Sequence, residues 1–77
     1  MSEETAMIEW LEGRLENGYG WYTEILDYNG NRTGDYDVKK KWTHASAEKN
    51  KGRLIIVIEL ENEIAARKAR LNAGAAV

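Results

Sequence analysis

The apolar residues near the N-terminus fall on one side of a helical turn, which is typical of a helix that covers a core with one face. They are Met7, Ile8, Leu11 and Leu15, with Trp10 beside them. Ser2 is a suitable N-cap, and Asn17-Gly18 is a natural stop because both residues tolerate the left-handed conformation. The pattern predicts a helix over residues 3–16 with Arg14 on its exposed side.

Two segments that alternate apolar and polar residues follow, separated by residues 29–35, which are dense in turn formers. Residues 20–28 and 36–43 therefore predict the strands of an antiparallel hairpin. If Tyr28 lies opposite Tyr36, Glu24 pairs across the strands with Lys40. One face then carries the better core residues, which are Tyr22, Glu24, Leu26, Tyr28, Tyr36, Val38, Lys40 and Trp42. The opposite face is polar apart from Trp21 and Ile25.

The last third of the chain carries helix-forming residues and well-spaced opposite charges. We predict a long helix over residues 46–72, capped by Thr43 or Ser46, and a frayed tail at residues 73–77. Five consecutive aliphatic residues at 54–58 leave an alternative open, because periodicity alone cannot separate a buried strand from a helix here. In that alternative a third strand covers residues 53–60.

The predicted fold is α+β, a single domain over residues 1–77 with the order α-β-β-α and both helices on one sheet face. A continuous helix through residues 54–58 would point its aliphatic side chains in all directions around the axis. A second copy of the chain or another partner would cover them. The predicted residues of such self-association are Leu54, Ile55, Val57 and Ile58.

Charge is unevenly distributed in this 77-residue chain of net charge −2. Residues 1–37 hold nine acidic and two basic side chains, and residues 38–77 hold four acidic and nine basic ones. This balance argues against a general attraction to nucleic acid. The absence of cysteine, of a basic leader and of a long apolar run predicts a cytoplasmic protein outside the membrane.

Candidate chemistry is sparse. With no cysteine and one histidine, a Cys–His pair is impossible, and His44 lies too close to Ser46 along the chain to serve it as a positioned base. His44 and Glu48 supply two of the three or four ligands that a zinc site needs. We therefore expect no enzymatic activity, no metal and no cofactor.

Binding is better supported than catalysis. Three Trp and four Tyr with no Phe is unusual aromatic usage, and Trp and Tyr are enriched at binding hot spots. The predicted partner-binding residues at the hairpin are Tyr19, Trp21, Ile25, Asp27, Asp35 and Asp37. An alternative is nucleic-acid binding through Lys39, Lys41 and Lys49, since bases and a tryptophan mix in residues 39–44.

In its small size, its lack of recognised motifs and its acidic binding surface, the whole chain resembles small phage-encoded inhibitors of host defence such as anti-CRISPR proteins. The resemblance implies an inhibitor that occludes a functional surface of a host protein. It rests on general character over the chain, and no individual residue is assigned a role by it.

Overall fold

The first helix, α1, spans Glu3–Glu16 in the computed structural model, which describes residues 3–75, with side chains through residue 74. The predicted bounds are confirmed, and the proposed cap Ser2 lies outside the described residues. Gly18 ends the helix with a φ of 85°, and the N–H of Tyr19 donates to the carbonyl of Arg14 at 3.0 Å. A left-handed glycine here satisfies the last free carbonyl groups of the helix.

The hairpin consists of β1, Trp21–Leu26, and β2, Arg32–Trp42. The Asp27 carboxylate closes the turn by accepting from the N–H groups of Asn29 and Asn31, each at 2.9 Å. The turn is therefore shorter than predicted, because β2 begins four residues earlier than the hydrophobic alternation indicated.

The predicted register is wrong. Glu24 lies opposite Tyr36, and Trp21 opposite Trp42, with one register shift between Trp21 and Thr23 and a second between Glu24 and Leu26. Asp37 and Trp42 are separated by three more residues than their partners Thr23 and Trp21 on β1. Because three is an odd number, this bulge turns Trp42 to the opposite sheet face from Tyr36. A simple alternation cannot reveal such a bulge.

The predicted α+β class and the helix at the C-terminal end are confirmed, but one continuous helix over residues 46–72 is wrong, and the alternative third strand is confirmed. Helix α2 covers only His44–Asn50, and strand β3 covers Ile55–Glu59. Thr43 is the N-cap of α2, and Ser46, the other proposed cap, completes a capping box with it. The aliphatic run forms a strand because pairing with β1 places Val57 in one packed sheet face and Ile58 against the core on the other.

Helix α3 spans Leu60–Ala75. It includes residues 73–75 of the predicted tail, while residues 76–77 lie outside the described part. The sheet order is β2-β1-β3, and β3 is antiparallel to β1, so α2 carries the chain from one edge strand to the other.

The sheet lies between two helical layers. Helices α1 and α3 pack on one face, where Leu11, Tyr22, Leu60 and Ile64 form the buried core. Trp10 meets Tyr22 edge-on with ring centroids 6.0 Å apart. The expectation that the first and last helices share one sheet face is confirmed, and α2 lies on the other face. None of the helices described in residues 3–75 is long and apolar enough to cross a membrane.

Candidate protein-binding surface

The sheet face on the α2 side carries most of the predicted partner-binding residues. Trp21, Thr23 and Ile25 alternate onto this face because Tyr22 and Glu24 point to the other one. The partners of these three residues on β2 and β3 share the face, and they include Trp42, Asp37, Val57 and Ile55. Trp21 packs edge-on against His44 of α2 with ring centroids 6.0 Å apart.

Coverage of this face is uneven. Thr23 is 1% exposed, and Val57 of β3 and Ala47 of α2 are also buried. Ile25 lies two residues beyond Thr23 on the central strand, yet it remains 43% exposed. Ile55 lies directly opposite it and is half-buried. The helix therefore covers the middle of the face and leaves an apolar position open at one end of β1.

Acidic side chains border that position from β2. Asp37 lies opposite Thr23, and its Oδ1 accepts from the N–H of Lys39 at 2.9 Å. Asp35 is exposed, and its N–H donates to Thr33 Oγ1 at 3.2 Å. The Thr33 hydroxyl in turn donates to the Ile25 carbonyl at 2.8 Å. These bonds hold β2 beside Ile25; we call Ile25, Ile55, Asp35 and Asp37 the Ile25 patch.

Two predicted partner-binding residues lie elsewhere. Tyr19 is half-buried against the core, with the Arg14 guanidinium 4.0 Å from its ring centroid. Asp27 belongs to the turn, where hydrogen bonds from the backbone of Asn31 and Asn29 hold the pKa of its carboxyl below the ordinary value. Both side chains have structural partners, and Trp21 is only partly available beside His44.

The three predicted nucleic-acid-binding lysines do not form one surface. Lys41 Nζ lies 5.7 Å from the Tyr19 ring on the α1 side of the sheet. Lys49 is exposed on α2, which lies on the other side. Lys39 is exposed in the bulged part of β2. Nucleic-acid binding stays a prediction, without a common face for these three residues.

The predicted self-association residues are partly covered by the chain itself. Val57 is buried on the α2 face, and Ile58 packs against the core on the other face. Leu54 is 65% exposed, and the unpredicted Ile56 is 38% exposed. Pairing of β3 with β1 therefore covers part of the aliphatic run, and Leu54 and Ile56 remain as its exposed apolar residues.

A buried charge cluster was missed by the sequence analysis. Glu24 is 3% exposed, and its partner is Arg32 instead of the predicted Lys40. Arg67 of α3 places Nη2 at 3.7 Å from Glu24 Oε2 and donates through Nε to Glu63 Oε1 at 3.0 Å. The spacing of four between Glu63 and Arg67 was the only available signal. Their convergence with Glu24 depends on the packing of α3 over the sheet.

Both oxygens of the Glu24 carboxylate are occupied. Burial raises its pKa, but hydrogen bonds from Arg32 and Tyr22 and the charges of Arg32 and Arg67 outweigh burial and bring the pKa below the ordinary value. Burial and the neighbouring Glu24 raise the pKa of Tyr22, whose hydroxyl donates to Glu24 Oε2 at 2.6 Å. A fully bonded carboxylate with a lowered pKa is a weak proton acceptor, so this arrangement favours a structural role.

A groove of about 610 Å³ opens beside the charge cluster, between the start of α1 and β2. Trp10 and Tyr36 line it with ring centroids 4.6 Å apart. Arg67 lies at the same groove and already contacts Glu4, with Nη1 at 3.3 Å from Oε2. The charges of Glu4, Glu24 and Arg67 at this groove therefore have partners within the chain.

Arg14 also differs from its prediction, which placed it on the exposed side of the first helix. It is buried, and its Nη1 and Nη2 donate to the carbonyl groups of Val38 and Lys40 at 2.8 and 2.9 Å. Its guanidinium also lies 4.7 Å from the Trp10 ring centroid. Arg14 thus ties α1 to the bulged part of β2, next to the acidic residues of the Ile25 patch.

The chain's own surfaces are the basis for any functional assignment. Within residues 3–75, His, Asp and Glu side chains form no group of three or more that could hold a metal ion. Comparisons of the chain with protein-family models, with curated proteins and with solved structures give no match.

Proposed function

We propose that the chain is a small non-enzymatic protein-binding domain that inhibits a host protein by occluding one of its functional surfaces. The observation that carries the binding proposal is the 43% exposure of Ile25 on the central strand of the sheet. Thr23 and Val57 on the same face are buried, so a partner that covers Ile25 and the half-buried Ile55 would complete the packing of that face.

The charge around Ile25 favours a partner with a basic surface. Asp35 and Asp37 stand beside it on β2, and opposite charge across an interface speeds association and selects the partner. A surface that normally holds nucleic acid would meet this requirement. The inhibitory role is supported by the resemblance in size and acidic surface to phage-encoded inhibitors, and it places the proposed action in the cytoplasm.

The test is affinity capture from host lysate with the full chain as bait, with and without nuclease. We expect a protein partner that survives nuclease treatment and is lost with Ile25→Lys, because a charge would replace the apolar contact. Val38→Lys is the matched control, since Val38 is 48% exposed on β2 and lies outside the patch. Far-UV circular dichroism checks that both variants are folded.

A second variant tests the acidic border. Asp35→Asn together with Asp37→Asn removes two charges while an amide oxygen can still accept from the N–H of Lys39. We expect weaker capture and a smaller dependence of capture on salt. Equal capture by wild type, Ile25→Lys and the double variant would contradict the proposal, and capture that nuclease abolishes would favour nucleic-acid binding instead.

A further inference from the structure

The outer edge of β3 has backbone groups available for pairing. The N–H of Leu26 donates to the Leu54 carbonyl, and that of Leu60 donates to the Gly20 carbonyl, both at 3.0 Å. In an antiparallel ladder the bonded residues alternate, so the even-numbered residues of β3 use their backbone on β1. Ile55, Val57 and Glu59 therefore direct N–H and C=O outward, and no strand described in residues 3–75 lies beyond them.

This edge lacks the features that protect the other one. The β2 edge carries three consecutive lysines at 39–41 and an irregular register, both of which discourage strand addition. The register of β3 on β1 is regular, and its residues 54–58 are all aliphatic. Leu54 and Ile56 lie at this edge, 65% and 38% exposed. An edge with these properties is suited to pairing with another strand.

The charges at the two ends of β3 favour a second copy of β3 as the strand that pairs with this edge. Arg53 precedes the aliphatic run and Glu59 follows it, each three residues from Ile56. Antiparallel pairing of two copies about Ile56 places Arg53 of each copy opposite Glu59 of the other. A parallel pairing in register would instead place like charges side by side.

The same arrangement suits the backbone and the apolar side chains. Pairing about Ile56 puts Ile55 opposite Val57, and both are residues whose backbone groups face outward. Ile56 meets its own copy in the non-hydrogen-bonded position, where side chains approach most closely. Leu54 lies opposite Ile58, on the same face as Ile56, so the two exposed side chains become part of a shared apolar strip.

We infer that the protein forms a homodimer in which two β3 strands pair antiparallel about Ile56, joining the two sheets into one of six strands. The interface is isologous, as a two-fold axis through Ile56 requires. It lies at the outer edge of the sheet and does not use Ile25. Ile55, which belongs to the Ile25 patch, also takes part in this pairing, so the dimer is tested by variants at Ile56, Arg53 and Glu59, which lie outside the patch.

Sedimentation of the full chain over a concentration series tests the dimer. We expect wild type to reach twice the 8.8 kDa mass of the chain. Ile56→Lys places two like charges at the axis and should abolish the dimer, whereas Val38→Lys should leave it unchanged. Circular dichroism confirms that the variants are folded. A wild type that stays monomeric at all concentrations, or a dimer that Ile56→Lys does not affect, would overturn the inference.

Charge reversal tests the register itself. Arg53→Glu and Glu59→Arg should each weaken self-association, because each creates two like-charge pairs. Mixing the two variants in equal amounts should restore dimers, since both pairs across the mixed interface are then of opposite sign. If the mixture associates no better than the separate variants, the antiparallel pairing about Ile56 is wrong.

Discussion

Arg32 and Glu24 form a two-point ion pair on the sheet face that α1 and α3 cover. Arg32 Nε donates to Glu24 Oε1 at 2.8 Å, and Nη2 contacts the other carboxylate oxygen. Such bidentate pairing fixes both side chains in one geometry. Because Arg67 of α3 approaches the same carboxylate, the pair links the hairpin to the last helix.

Removal of the Glu24 charge should destabilise the protein. In Glu24→Gln, the half-buried guanidinium of Arg67 and the more exposed one of Arg32 lose a carboxylate partner. We expect the free energy of unfolding to fall by about 2–3 kcal/mol, below the usual range for a fully buried pair because Arg32 reaches solvent. Urea denaturation measures this loss. The control, Glu48→Gln, removes a solvent-exposed pair with Lys51 and should cost much less. Equal losses would contradict a special role for Glu24.

Low pH should remove the stabilisation that the charge of Glu24 provides. The pKa of Glu24 in the folded protein lies below its ordinary value, so folding favours the ionised form. The stabilisation is fully present above the unfolded pKa of about 4.3 and disappears as the pH falls through the folded pKa. We therefore expect the difference in unfolding free energy between wild type and Glu24→Gln to stay constant down to the unfolded pKa of about 4.3 and to shrink as the pH falls further, through the folded pKa. A difference that stays constant below the unfolded pKa as well would show that the charge of Glu24 is not its source.

Arg14 should control the order of the bulged part of β2. Arg14→Met keeps much of the apolar stem but removes the donors to the Val38 and Lys40 carbonyl groups. We expect a loss of about 1–3 kcal/mol in unfolding free energy, and faster amide exchange at residues 37–42 than at β3. Lys49→Met, on the exposed side of α2, is the control. Unchanged exchange in β2 would mean that the bulge does not depend on Arg14.

Two glycines should respond to alanine in opposite directions. Gly13 lies inside α1 with open space where a Cβ would stand, so Gly13→Ala should stabilise the protein by about 0.5–1 kcal/mol. Gly34 also has open space, but its φ is 88°, and Gly34→Ala should cost about 1–2 kcal/mol. Thermal or urea unfolding of both variants measures the contrast. Similar effects of the two substitutions would contradict this account of β2.

The candidate surface was anticipated only in part. Placing Ile25 on the same sheet face as Trp21 was correct, because the alternation along β1 is regular. Tyr19 and Asp27 have the residue types of a binding surface, but the first packs under Arg14 and the second closes the turn. Residue type alone does not show whether a side chain already has a partner within the fold.

Local chemistry determined the helix at residues 3–16, the hairpin and the helix start at Thr43, because caps, turns and periodicity depend on consecutive residues. The tertiary structure decided what local signals left open. Most of the aliphatic run at 54–58 became a strand because β1 offered it hydrogen bonds and because packing on the two sheet faces takes in Val57 and Ile58. The partner of Glu24 and the face of Trp42 followed from the bulge in β2. Register depends on contacts between distant residues, such as those of Arg14 and Arg67, and these exist only once the helices pack on the sheet.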